Sequence, residues 1–427
     1  MAGVLCRLNS VQPHSKNPPS GGFFFFYASK NMKHSYIEAA QKLDLFHIED
    51  HSPGFAFWHP NGLRLIEALK SVIRGVHERY GYEEVKTPNI TGVELFEQSG
   101  HLAKFRGNMF VMEGADGERA YAVRPMSCPN HIRVFDSRRR SYAELPQKLF
   151  EFGEVVRNEP SGSLQALFRM RGFCQDDSHV FAMEEQVVDV VADYIVMSRE
   201  LYRALGFDEV RYQISLRPEQ RFGDDALWDK AEDMLRAACQ RNGLSWKEEE
   251  GGGAFYGPKL EMHLTDKLGR SWQMGTIQLD YVLPRRFNLD YLSRDNQLEV
   301  PVILHHAVLG SLERFIGVLL EQYGVDLPGG LRPIQVALVG VRESESAYIR
   351  DLAARLKAQG LRVKCFVGDA RLGDKVKAAE LEHPELLAIA GGREVENGQL
   401  AIRESRGAPR VIGRQAFIDE VLARCSV

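Results

Sequence analysis

Six cysteines in 427 residues, with no close pairs, leave no framework for a disulfide-stapled fold and point to a reducing, cytoplasmic setting. No apolar run approaches the roughly 20 residues that cross a bilayer, so no membrane segment is predicted. A strong charge of either sign is also missing. At a formal net charge of -4 the chain has no basic field to draw it to nucleic acid, and any such contact has to come from local patches. Acidic residues are absent from the first 37 positions, which carry GGFFFFY and no trusted periodicity. Three readings of that stretch stay open: sequence translated upstream of a start at Met32, a disordered tail, or an organelle transit peptide. A single arginine, Arg7, weighs against the last.

What remains is the composition of a large globular protein, long enough for two or more domains. Its densest stretch is FGEVVRNEPSGSLQALFRMRGFCQDDSHVF, from Phe152 to Phe181. The apolar segment Leu149 to Val156 reads as a strand that would carry Arg157 and Glu159 onto one face. Pro160 to Ser163 reads as a turn, and Ala166 to Val180 as a second strand returning antiparallel. Such a hairpin can set Arg157 and Arg169 against a polyphosphate, because a guanidinium fork matches phosphate oxygens, with Phe173 stacking on a base. A solvated charged face is the plain alternative for any one of these residues taken alone.

Two further segments extend the pattern. Helical spacing of apolar residues from Gly62 to Gly81 leads into a short strand that stops at Pro88. Far downstream, Gly310 and Ser311 open a helix with Arg314 in its first turn. In this order the three segments resemble the signature motifs of class II aminoacyl-tRNA synthetases. RPMSCPNH at Arg124 to His131, RNEPSGSL, RGFCQDDSH, GAFYGPK at Gly253 to Lys259 and GTIQLD at Gly275 to Asp280 narrow the resemblance to threonyl-tRNA synthetase, from about Leu43 onward.

The resemblance implies an α+β catalytic domain with an antiparallel sheet over 38–327, after an N-terminal extension of 1–37. It implies one Zn²⁺ per subunit on Cys128, His179 and His305, and three such ligands leave zinc open positions for substrate. His306 stands where the family usually has arginine, so the third ligand could be misregistered; nine positions from His305 to Arg314 keep the family spacing. A β-hydroxy amino acid could then bind the metal through amine and hydroxyl, while valine would lack the second group. By the same resemblance Met126, Gln175, Asp177, Tyr256, Gln273, Thr276, Gln278 and Ser311 shape the L-threonine pocket, with Asp177 receiving the hydroxyl. Arg157 would hold the ATP α-phosphate, Glu159 the adenine amine, Phe173 the base, and Arg169 with Arg314 the γ-phosphate. Lys259 would add positive charge, and Mg²⁺ would accompany ATP.

A Pro- and Gly-rich boundary falls near Asp326 to Pro333. Beyond it, over 328–427, alternating strand and helix patterns predict a small α/β domain with a mostly parallel sheet, which the family uses to bind the anticodon. Lys375-Val376-Lys377 and Pro384-Glu385 depart from the family pattern there, and Glu380, Glu382 and Glu385 add acid. His47 and His51 form an HxxxH like that of an editing site, but they belong to the start of the catalytic domain. The residues before Leu43 are too few for the family's editing domain, so proofreading within the chain is not expected. The function expected is a dimeric threonine–tRNA ligase acting on tRNA(Thr). The alternatives are a paralogue that adenylates threonine or a related amino acid for another acceptor, and a non-catalytic tRNA-binding regulator.

Overall fold

The computed structural model describes residues 35–115, 117, 119–403 and 409–425. Positions 1–34, and with them nearly all of the acid-free stretch, lie outside the described residues. Helix α1 (Ser35–Lys42) begins just inside it. Helix α2 (Pro60–Arg79) has proline in its first turn, where no N–H is needed, and buries Leu65, Ile66, Leu69, Ile73 and Val76 along one stripe. A two-residue strand β1 (Glu83–Glu84) follows, and then α3 (Cys128–Phe135), with Pro129 in its first turn.

The hairpin expected from the sequence is present, with altered limits. Strand β2 (Gln147–Val156) pairs antiparallel with β3 (Gly172–Ala182). The second strand starts at Gly172, not at Ala166, because Ala166 takes a positive φ of 43° and the amides of Arg171 and Gly172 bond to the Gly54 carbonyl instead of a ladder. Arg157 and Glu159 accordingly lie beyond the end of β2, in the connecting loop.

Helix α4 (Val187–Ala204) leads to β4 (Val210–Ser215), β5 (Trp246–Glu249), β6 (Lys259–Thr265), β7 (Ser271–Asp280) and β8 (Val302–Ser311), and then to α5 (Leu312–Tyr323). The eight strands form one sheet in the order β5-β4-β6-β7-β8-β3-β2-β1. Its six central strands are antiparallel, and only the two edge pairs are parallel. One face of the sheet packs on the helices: Ile277, Leu279, Leu304 and Val308 join the core of α2, α4 and α5. The other face carries the polar residues of the site.

After α5 come β9 (Val336–Gly340), α6 (Ser346–Ala358), β10 (Val363–Phe366), α7 (Leu372–Glu380), β11 (Leu386–Ala390), β12 (Gln399–Arg403), β13 (Arg410–Gly413) and α8 (Arg414–Cys425). The sheet order is β10-β9-β11-β12-β13; the first three strands are parallel, and β12 and β13 close it antiparallel. Apolar residues of this region form clusters of their own on either face of the sheet. Among the described residues no helix is long and apolar enough to cross a membrane.

Candidate active site

Strand β3 organises the site through its two-residue period. Phe173, Gln175, Asp177 and His179 point to the open face, while Cys174, Asp176 and Ser178 are buried on the helix side. Alternate residues are about 7 Å apart, so this one strand spans both halves of the site.

One half is a cavity of about 530 Å³. Arg157, Glu159, Arg169 and Phe173 line it from the hairpin; Gln175, Gln273 and Thr276 from the sheet; Ser311 and Arg314 from the start of α5. Arg157 sits 5.2 Å over the Phe173 ring and donates Nε to the Pro125 carbonyl at 3.1 Å. Burial lowers the pKa of both Arg157 and Arg314, and Glu159 and Asp177 oppose that shift at Arg157. Arg314 Nε is buried with no hydrogen-bond partner among the described residues. Desolvated donors of this kind suit an anionic ligand. Glu159 and Arg169 instead hold each other, at 2.8 Å, with Arg169 half exposed.

The position of Arg314 follows from a break in the ladder. Asp176, fully buried, accepts the amides of Val308 and Leu309 at 2.8 and 2.9 Å, and the β3–β8 register shifts between Ala307 and Ser311. Gly310 takes φ 72°, a conformation that suits glycine. Ser311 then caps α5 by accepting the Arg314 amide at 3.1 Å.

The other half is a cluster of Cys128, His179 and His305, whose candidate ligand atoms all lie within 4.8 Å of one another. His179 and His305 face each other across the β3–β8 ladder. His306 points to the opposite face, where its Nε2 meets the Tyr82 hydroxyl at 2.7 Å, so the trio contains His305 and not its neighbour. Cys128 opens α3, which comes close to the sheet because β2 has Gly153 there: a Cβ would stand 2.6 Å from Ser127 Oγ. Burial pushes the Cys128 thiol well up and the His179 imidazole well down in pKa. One thiol and two imidazoles, all buried, are a donor set that fits zinc.

The remaining expected residues surround this trio. Tyr256 donates to Gln278 Oε1 at 2.5 Å, and its ring lies tilted 5.1 Å from the His305 ring. Asp177 receives the Ser127 amide at 3.3 Å, and Met126 lies between Ser127 and the carbonyl that binds Arg157. Lys259 sits opposite Gln278 on β6 and pairs with Glu261, outside the cavity lining. Sequence reasoning missed Trp272, stacked 4.2 Å from Phe168 in the cavity wall, and also Asp280, Glu151, Arg124 and His131 behind the trio.

With the geometry in hand, comparison with known proteins is decisive. Residues 110–323 match the tRNA synthetase class II core domain (G, H, P, S and T), and residues 335–424 match the anticodon binding domain. The chain is 43% identical over 375 residues to a threonine–tRNA ligase of Methylobacillus flagellatus, and 44% identical over 394 residues to one of Acinetobacter baumannii. It superposes on the crystal structure of the RNA binding domain of threonyl-tRNA synthetase from Cryptosporidium parvum with a TM-score of 0.87 at 34% identity, covering 91% of this chain and 98% of that one. The chain belongs to the threonyl-tRNA synthetase family. It has the class II core followed by the α/β domain of that family. It covers 88% and 92% of itself in the two ligase alignments but spans only 59% and 61% of the relatives' length.

Proposed function

We propose that the chain is a threonine–tRNA ligase: it activates L-threonine with ATP and passes the threonyl group to tRNA(Thr). The observation that carries this reading is the line along β3 from the arginine-lined cavity to the buried Cys128–His179–His305 trio. One end suits a triphosphate and the other a small amino acid. ATP, accompanied by Mg²⁺, would occupy the cavity, with Phe173 under the base and Arg157 and Arg314 neutralising the charge that spreads over phosphate oxygens as the carboxylate attacks. Glu159 would take the adenine amine, Arg169 the γ-phosphate and Lys259 a place nearby. Gln175, Asp177, Tyr256, Gln278, Gln273, Thr276, Met126 and Ser311 would enclose threonine.

Cys128, His179 and His305 would hold one zinc ion, which when bound supplies a Lewis-acid site that prefers an amine and hydroxyl together over valine. Serine keeps both groups and lacks one methyl, a difference worth only about 1–3 kcal/mol in a pocket. The region after about 328 would contact the anticodon, and the chain would act as a cytoplasmic homodimer through α2. Two assays test the reading. Threonine-dependent ATP–pyrophosphate exchange should depend on zinc, and total tRNA should be charged with threonine well above serine. Exchange without any charged tRNA would favour a non-tRNA acceptor, and no exchange in zinc-replete protein would refute activation.

A further inference from the structure

Resting on the metal reading above, we propose that His131 is a positioning residue: held by Glu151, it accepts the Nδ1 proton of His179 and so determines which nitrogen of His179 is left for the metal.

Glu151 is the fixed end of the relay. Its carboxylate is buried and accepts the Thr87 amide and hydroxyl at 3.0 and 2.8 Å, and Arg124 through Nη1 and Nη2 at 3.0 and 3.1 Å. The Nε2 of His131 lies 3.2 Å away. An ionised carboxylate can only accept, so His131 Nε2 carries a proton. With Nε2 turned to Glu151, the nitrogen that His131 presents on its other side is Nδ1.

That nitrogen stands 2.8 Å from His179 Nδ1, with both rings buried and edge to face. Two nitrogens at this distance share one proton; with Nδ1 of His179 engaged by His131, Nε2 is the nitrogen left for a metal, and a metal there leaves the ring's proton on Nδ1 for His131 to accept. The reverse arrangement, with His131 donating, would place a proton on His179 Nε2 and block it.

The second imidazole is held without an intermediary. His305 Nε2 lies 2.8 Å from Asp280 Oδ2, and Asp280 is anchored by the amides of Val282 and Leu283. Both imidazoles thus end in a carboxylate, the arrangement that orients metal-binding histidines. His179 needs the extra link because Leu149, not Glu151, lies across from it on β2. Helix α3 supplies that link three residues after Cys128, on the same helical face. One turn of helix gives both a ligand and the group that sets another.

The test uses the full chain. Zinc dissociation constants are measured by competition with a chromophoric chelator for wild type, His131→Leu and His131→Asn, beside thermal unfolding of the metal-stripped proteins. His131→Leu is expected to weaken zinc about 10- to 100-fold. In His131→Asn the amide oxygen can replace Nδ1 as acceptor, so affinity should recover most of that loss. Wild-type affinity in His131→Leu, or equal losses in both variants, would overturn the proposal. A purely structural role would lower the unfolding temperature of the stripped protein and leave zinc affinity unchanged. If His131→Leu does not fold, ¹⁵N NMR of histidine-labelled, metal-stripped wild type decides: the proton belongs on His179 Nδ1, and finding it on Nε2 refutes the relay. Wild-type protein that takes up no zinc would refute the metal reading itself, while the NMR result still judges the tautomer.

Discussion

The arginines beside the cavity of the antiparallel sheet are treated differently from the buried cations of the C-terminal sheet. In the antiparallel sheet, Arg157 and Arg314 are desolvated beside a cavity, and Arg314 Nε has no partner among the described residues. In the C-terminal sheet, comparable groups are consumed by the fold. Lys375 is buried but donates to the Gly368 and Val341 carbonyls at 2.8 and 3.2 Å, and Arg362 binds the carbonyls of Gly330 and Arg332. At the surface, the exposed Lys364 and Arg403 pair with Glu382 and Glu380. An unmatched buried donor costs free energy that only a ligand returns, whereas a matched one stabilises its own domain. The contrast separates a site from a scaffold without reference to any relative.

Cys128→Ala should have the largest effect. Zinc content is expected to fall to background and threonine-dependent pyrophosphate exchange by at least about 10³-fold, with the far-UV circular dichroism unchanged. Normal exchange in that variant would remove Cys128 from the site. Arg314→Ala comes next, with exchange reduced about 10²- to 10³-fold and zinc retained, as metal analysis beside kinetics would report.

In the C-terminal sheet the contrast inverts. Lys375→Met should leave exchange unchanged and destabilise the protein by about 1–3 kcal/mol in urea unfolding, because two buried carbonyls lose their donor. If instead it weakens tRNA charging at unchanged stability, Lys375 belongs to an interface and the distinction between the sheets fails there.

The smallest effect tests a buried acid beside the cavity. Burial raises the Glu313 pKa from 4.5 to about 7, against the hydrogen bonds from Ser311 and the Cys174 amide. The folded state then binds a proton more tightly than the unfolded chain between pH 4.5 and about 7. Its contribution to stability is full below pH 4.5 and is lost as pH rises through 7. Glu313→Gln, which keeps an acceptor for the Cys174 amide, should remove a slope of at most about 1.4 kcal/mol per pH unit from unfolding free energies measured across that window.

Much of this architecture could be read from the residues. The β2–β3 hairpin, the helix opened by Ser311 and the strand–helix alternation after Pro333 all carry local signals: a two-residue period, an N-cap, paired Gly and Pro. The trio carries none, because its members are separated by 51 residues from Cys128 to His179 and by 126 from His179 to His305. Only the motif resemblance brought them together. His131 was overlooked although its spacing from Cys128 placed both on one helical face; a histidine on a buried helix looks the same whether it packs or directs a proton. The late start of β3 was missed for a different reason, since the bond from Arg171 to Gly54 joins residues far apart in the chain.

Asp176 is invisible from the cavity, yet its two hydrogen bonds decide where the β3–β8 ladder stops and α5 begins. A genetic screen for lost nucleotide use would return this residue beside Arg314, and the phenotype would suggest direct contact. The lesion would in fact sit on the reverse side of the strand, working as a misplaced hinge pin rather than a missing hand.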